Sequence, residues 1–264
     1  MERTGQLRYE FSREGRDFSV DLLGYLNNSQ AGKISTFLYE EAFGVRDRLH
    51  WFIHMRSPHD YQELLEMVDH DSDFQEISDS DRLPEEKGGG NWERMFVPQT
   101  LRERIICPQH GMGEPEEGDA PPERYFVDPA RCQTGQPTSE QLNTATAGAI
   151  VMRDVDVRYE LRKEARNFAF EWQESINERL AGYATVLLYE ETFGRQDRIT
   201  WLIHLRELDD YSRITELTRN DPAFAKLFSE QRVPNRKGGG NWGSLFVDGS
   251  MSDTVLVPYL HSDS

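Results

Sequence analysis

FLYEEAFGVRDRLHWFIHMR, residues 37–56, returns 150 residues later as LLYEETFGRQDRITWLIHLR, residues 187–206. The register holds on either side. Arg8–Pro108 can be laid on Arg158–Pro258 without a gap, with about 37 of 101 positions identical, and EKGGGNWERMFV (86–97) becomes RKGGGNWGSLFV (236–247). The expectation is one folding unit written twice and fused.

Each copy reads as strand, helix, strand, strand, helix, strand. Thr185–Phe193, the turn Gly194–Asp197 and Arg198–Arg206 predict a hairpin. On the return strand Ile199, Trp201, Ile203 and Leu205 alternate with Thr200, Leu202, His204 and Arg206. Leu49, Trp51, Ile53 and Met55 alternate likewise with His50, Phe52, His54 and Arg56. The apolar row is expected to pack on helices, and the mixed row to face water or an inner cavity. Alternation over Asp154–Leu161, echoed by Leu7, Tyr9 and Phe11, predicts the first strand. Phe168, Trp172, Ile176 and Leu180 recur at helical spacing. A second helix follows Asp60 or Asp210 and is expected to break near Asp71 and Asp221.

These boundaries predict a repeat at 1–108, a linker at 109–149 and a second repeat at 150–264. The linker is rich in Gly, Pro, Glu, Thr and Gln, with Arg124–Val127 as an island able to add a strand.

Composition narrows the function. A net charge of −17 disfavours nucleic acid and anionic membrane as partners. Cys107 and Cys132 make neither a disulfide framework nor a metal-binding spacing. The start, MERTGQLRYEF, lacks a signal pattern, and a cytoplasmic location is the expectation. Only five basic residues are lysine, an arginine bias that suits a high-GC bacterial or salt-adapted host.

The order of elements is that of a ferredoxin-like unit. VRYELRKEARNFAFEW (157–172), LRYEFSREGRDF (7–18), YEETFGRQDRITWLIHL (189–205) and DDYSRITELTRNDPAFAKLF (209–228) resemble NIPSNAP-type domains. That family belongs to the dimeric α/β-barrel superfamily, which also holds antibiotic-biosynthesis monooxygenases, small polyketide cyclases and chlorite-dismutase-like haem proteins. The resemblance implies an α+β fold, two ferredoxin-like repeats forming an intrachain dimeric α/β barrel lined by the mixed rows. It also implies a small-molecule enzyme of bacterial specialised metabolism, acting as cyclase, isomerase or cofactor-free monooxygenase on an enolisable or aromatic substrate.

On this reading the candidate catalytic residues are His54 and His204, each two positions from Arg56 or Arg206, with Glu41 and Glu191 as acid/base partners. Candidate substrate-binding residues are Arg8, Arg56, Arg158, Arg206, Tyr39, Tyr189 and His50, the last replaced by Thr200 in the second copy. Lys87, Trp92, Lys237 and Trp242 join them from KGGGNW, whose glycines allow backbone amides to approach an anion. Each has a plainer reading: a hydrogen-bonded core histidine, a strand carboxylate in a local ion pair, a glycine bend pinned by a buried tryptophan. No cofactor or metal is expected; the alternatives are haem or a metal on His54 or His204, or a non-catalytic ligand-binding or assembly protein. The expected partner is a small-molecule substrate, and a homo-oligomer is compatible with the reading.

Overall fold

The computed structural model describes residues 1–109 and 133–259. Cys132 and the island Arg124–Val127 lie outside the described residues. Contacts divide the chain into two compact units, cut between Arg104 and Ile105 and again between Val255 and Leu256. Among the described residues there are eight strands, all their observed pairings antiparallel, and six α-helices, so the fold is α+β.

In the first unit β1 (Glu2–Gln6) leads to α1 (Ser12–Ser29), then the hairpin of β2 (Ile34–Phe43) and β3 (Arg48–Met55). Next come α2 (Pro58–His70), α3 (Ser72–Asp79) and β4 (Arg102–Pro108). β3 pairs with β2 on one side and β1 on the other, and the first half of β4 pairs with β1, Glu2 opposite Arg104.

The second unit follows at an offset of 150 or close to it: β5 (Ala149–Asp156), α4 (Arg162–Arg179), β6 (Ala184–Phe193), β7 (Arg198–Leu205), α5 (Tyr211–Asn220), α6 (Pro222–Ser229) and β8 (Ser252–Pro258). β7 lies between β5 and β6. The cuts fall inside β4 and β8. Ile105–Pro108 pair with β6 of the second unit, and the Tyr259 amide, just past β8, donates to the Leu38 carbonyl of the first at 2.9 Å.

Helix breaks and caps follow local chemistry. Asp71 Oδ1 accepts from the amides of Asp73 and Phe74 at 3.0 Å, and Asp221 does the same for Ala223 and Phe224, so each second helix stops and restarts there. The cap of α2 is Ser57 rather than Asp60; Asp60 is the reciprocal partner three residues in.

The apolar row of β7 packs on helices as expected. Ile199, Trp201, Ile203 and Leu205 share a core with Phe168, Trp172 and Ile176 of α4. On the opposite face Thr200, Leu202 and His204 are fully or almost fully buried.

The first strands end earlier than the alternation suggests. β1 stops at Gln6 and β5 at Asp156; Tyr9–Phe11 and Tyr159–Leu161 are 3-10 turns leading into the helices. Leu7 and Val157 each add a single bridge, to Phe96 and Phe246, after which the backbone turns. The alternation continues by coincidence: Phe11 and Leu161 are buried beneath helix starts, while Tyr9 and Tyr159 are exposed.

Residues 133–149 are built into the second unit. Gln133 bridges the Leu188 backbone, donating to its carbonyl at 2.8 Å and accepting from its amide at 2.7 Å. Gln136 donates to the carbonyls of Asn177 and Ala184, both at 2.9 Å.

Candidate functional site

The register of the first sheet places Glu2, His50, Glu41 and Arg104 on the face opposite α1. Tyr39 lies across from His50, Thr4 across from His50 on the other side, and Glu2 across from Arg104. Residues directly opposite on antiparallel strands share a face. The other face carries Glu40 bound to Arg16 of α1, and Glu103 bound to Tyr61 of α2.

His50 is 3% exposed and its Nδ1 lies 2.8 Å from Glu2 Oε1. The other oxygen of Glu2 receives Arg104 Nε. His50 Nε2 has no hydrogen-bond partner among the described residues; Glu41 Oε2 stands 3.7 Å away. Glu41 is held in turn. Its Oε1 accepts from the Val45 amide at 2.8 Å, and Arg48 Nη1 reaches Oε2 at 3.4 Å. Gly44 makes room at φ +139°, where a Cβ would sit 1.8 Å from Glu41 Oε1.

The protonation states follow from these contacts. Burial works to raise the Glu2 carboxyl, but the His50 hydrogen bond and Arg104 overcome it and hold the group down at about 2. Burial works to lower His50, and the carboxylates of Glu2 and Glu41 outweigh it, so the imidazole lies above its ordinary value. Glu41 is lowered against burial by His50, the Val45 amide and Arg48. Burial raises the Tyr39 hydroxyl, which therefore keeps its proton. The arrangement is a basic imidazole oriented at Nδ1 by one buried carboxylate, with a second, Glu41, facing Nε2 at 3.7 Å.

The second unit lacks this cluster. Positions 150 residues on from Glu2, His50 and Arg104 are Met152, Thr200 and Thr254. Glu191 keeps the turn-holding role, its Oε1 accepting from the Arg195 amide at 2.7 Å. By contrast, the ion pair of Arg3 with Glu103, supported by Tyr61, recurs as Arg153 with Asp253 and Tyr211. The buried Glu2–His50–Arg104 cluster is thus specific to the first half, while this partly exposed ion pair is common to both.

The other sequence candidates fall elsewhere. His204 is wholly buried, with Nδ1 3.2 Å from the Thr185 carbonyl and Nε2 3.4 Å from Thr144 Oγ1. Burial lowers it to about 4, so it is neutral, and with both nitrogens occupied it does not fit an axial haem or metal ligand. His54 stands edge-on to Phe37, with ring centroids 5.2 Å apart. Among the described residues no group of three or more His, Cys, Asp or Glu is arranged to hold a metal ion.

Arg56 and Arg206 lie past the strand ends, not beside the histidines. The Arg56 amide donates to Asp60, while Arg206 covers the Tyr183 ring at 4.4 Å and pairs with Asp210 at 3.5 Å. Arg8 and Arg158 are not strand residues. Their Nε atoms donate to the carbonyls of Phe96 and Phe246, which ties each turn to the segment after KGGGNW. Lys87 Nζ donates to the Glu10 carbonyl at 2.6 Å and to Glu14 at 2.7 Å; Lys237 repeats this with Glu160 and Glu164. Trp92 stacks on Phe18 and Trp242 on Phe168, both at 5.9 Å. The three glycines in each copy have positive φ, and the amides of Gly88 and Gly89 are bonded to Glu85 and Pro84, so they are not open to an anion. The KGGGNW segment is a bend locked onto the first helix. Tyr39 and Tyr189 are both buried on the mixed face, Tyr39 beside His50 and Tyr189 beside Thr200.

The sequence reading missed Glu2 and Arg104. The signal that could have found them is the joint loss of Glu2, His50 and Arg104 at the matching positions of the second half.

The model of a family of unknown function, DUF6039, matches residues 1–264. The chain belongs to this family. No match is found among curated proteins. Among solved structures, a proposed monooxygenase from Fusobacterium nucleatum superposes with a TM-score of 0.53 at 10% identity, covering 97% of this chain and 90% of its own. An anthrone oxidase-like protein gives 0.52 at 9% identity, covering 98% and 90%. A proposed monooxygenase from Lactobacillus acidophilus gives 0.51 at 8%, covering 97% and 91%. At such identities the DUF6039 chain shares their fold, that of dimeric α/β-barrel proteins, and the likeness carries no chemistry by itself. No helix among the described residues is long and apolar enough to cross a membrane.

Proposed function

We propose that this DUF6039 protein is a small-molecule enzyme of bacterial specialised metabolism in which His50, oriented by Glu2, removes a proton from an enolisable or aromatic substrate. One observation carries the reading: the Glu2–His50–Arg104 cluster is buried, is held at 2.8 Å between imidazole and carboxylate, and exists in only one of the two halves. The Arg3–Glu103 pair, by contrast, recurs in the second half as Arg153–Asp253.

In this reading Glu2 accepts a hydrogen bond from the Nδ1–H and raises the basicity of Nε2, which takes the substrate proton. The protonated Tyr39 beside it supplies a hydrogen-bond donor for the enolate oxygen. Glu41 adds negative charge near Nε2 and stabilises the imidazolium once formed. The fate of the enolate separates cyclase, isomerase and cofactor-free monooxygenase. The names borne by the comparison structures favour oxidation of a fused-ring substrate. The two halves are taken as ferredoxin-like repeats related by duplication, and NIPSNAP-type domains as distant kin.

Deuterium exchange tests the proton-transfer step without requiring oxygen. Anthrone and a β-dicarbonyl C–H acid are incubated anaerobically in D2O with the protein, and exchange is followed by proton NMR. The account expects catalysed exchange of at least one probe, reduced about 100-fold or more in His50→Gln. Exchange of both at the buffer rate, or an equally active His50→Gln, would refute it.

A further inference from the structure

The second unit contains a cavity on the helix side of its sheet, away from the face that carries Thr200 and His204. It has a volume of about 490 Å³, within the range of small-molecule sites. Six aromatic rings line it: Phe168, Trp172, Trp201, Tyr211, Phe228 and Trp242. These include three of the five tryptophans of the chain. The rings are held against one another. Trp172 meets Trp201 edge-on at 5.3 Å, and Phe228 meets Trp242 edge-on at 5.5 Å.

Comparison with the first half shows which of these residues serve the fold. Seven of the twelve lining positions keep their character at the matching places, among them Phe18 for Phe168, Trp51 for Trp201 and Trp92 for Trp242. The other five change together. Trp172 and Phe228 stand where the first half has Leu22 and Ser78, which adds two aromatic walls. Thr215 and Thr218 replace Leu65 and Val68, which makes the rim polar. Arg219 replaces Asp69, reversing the charge. Arg219 is exposed and has no ion pair among the described residues, whereas Arg153 in the same cavity is neutralised by Asp253 at 2.6 Å and covers the Trp172 ring. Packing alone does not call for an unpaired cation above a set of partly open rings.

We propose that this cavity is a binding site for a planar aromatic carboxylate, its ring system stacked among Trp172, Phe228 and Trp242 and its carboxylate met by Arg219 and the threonine hydroxyls. Flat rings favour stacking and edge contacts with aromatic side chains. The guanidinium is suited to a carboxylate. The site is independent of the His50 cluster, which lies in the other unit.

The test uses the full-length protein and two probes, 2-naphthoate and its uncharged counterpart 2-naphthalenemethanol. Binding is read by calorimetry and by quenching of tryptophan fluorescence. Saturable 2-naphthoate binding is expected. Trp172→Leu, which installs the residue of the first half, should weaken both probes about tenfold. Arg219→Asp, an exposed change with little consequence for folding, should weaken 2-naphthoate about fivefold or more and leave the alcohol unchanged. Circular dichroism confirms that each variant is folded; if Trp172→Leu unfolds, the two-probe comparison on Arg219→Asp decides alone. Three results would overturn the proposal: no saturable binding of 2-naphthoate, equal loss of both probes in Arg219→Asp, or self-association of the protein through this face that Arg219→Asp abolishes.

Discussion

Replacing Glu2 with Gln removes one charge and keeps the shape, which makes it the sharpest perturbation of the buried cluster. The carboxylate is 3% exposed, so its interaction with His50 and Arg104 is poorly screened. Its fall from 4.5 to about 2, at about 1.4 kcal/mol per pH unit, corresponds to about 3 kcal/mol of stabilisation. The sign follows from linkage: a carboxyl depressed in the folded state stabilises above its unfolded value and loses that contribution as pH falls through its folded value. At pH 6 both His50 and Glu2 carry charge, and Glu2→Gln should be less stable than the parent by about 3 kcal/mol. Between pH 4.5 and about 2 the parent protonates Glu2 and comes to resemble the variant, so the gap should close. The measurement is a series of urea unfolding curves for both proteins between pH 6 and pH 2. Using the difference cancels the titration of the other carboxylates. A gap below about 0.5 kcal/mol at pH 6, within the range of ordinary surface changes, or one that stays constant as pH falls, would refute the reasoning.

Two further outcomes follow from the same geometry. His204 is held down at about 4 by burial, so its imidazole should stay neutral by NMR at pH 5. The unfolded chain binds that proton first as pH falls from 6.5 toward 4, so His204 should cost about 3 kcal/mol over this interval, a loss absent from a folded His204→Gln variant. Gly44→Ala would place a Cβ against Glu41 Oε1 at positive φ; thermal unfolding should show a loss of about 1–2 kcal/mol, accompanied by reduced proton-exchange activity as Glu41 is displaced from His50.

The hairpin, its two rows and the helix breaks were legible because they depend on local rules. Alternation sorts Trp201 from His204, and an aspartate followed by two amides restarts a helix. The ends of the first strands were not legible. Tyr9 and Tyr159 keep the apolar-polar rhythm after the backbone has left the sheet, and only the contact of Leu7 with Gly15, whose Cβ would meet it at 2.3 Å, shows where the chain turns into the helix. KGGGNW stood out as a word, but its lysine serves the Glu10 carbonyl and Glu14, 77 and 73 residues away. The candidate site was legible only in part. His50 drew notice because Thr200 replaces it, and Glu41 because it recurs. Glu2 and Arg104 are 102 residues apart, and only the pairing of β1 with β4 makes them neighbours.

A nitrogen-detected NMR titration of the His50 imidazole, in the parent and in Glu2→Gln, addresses the buried pair itself. The account predicts a midpoint above 6.5 in the parent, with Nδ1 retaining its proton in the neutral form, and a clear fall in the variant. A midpoint at or below 6.5 in the parent, or one indifferent to the loss of Glu2, would contradict it.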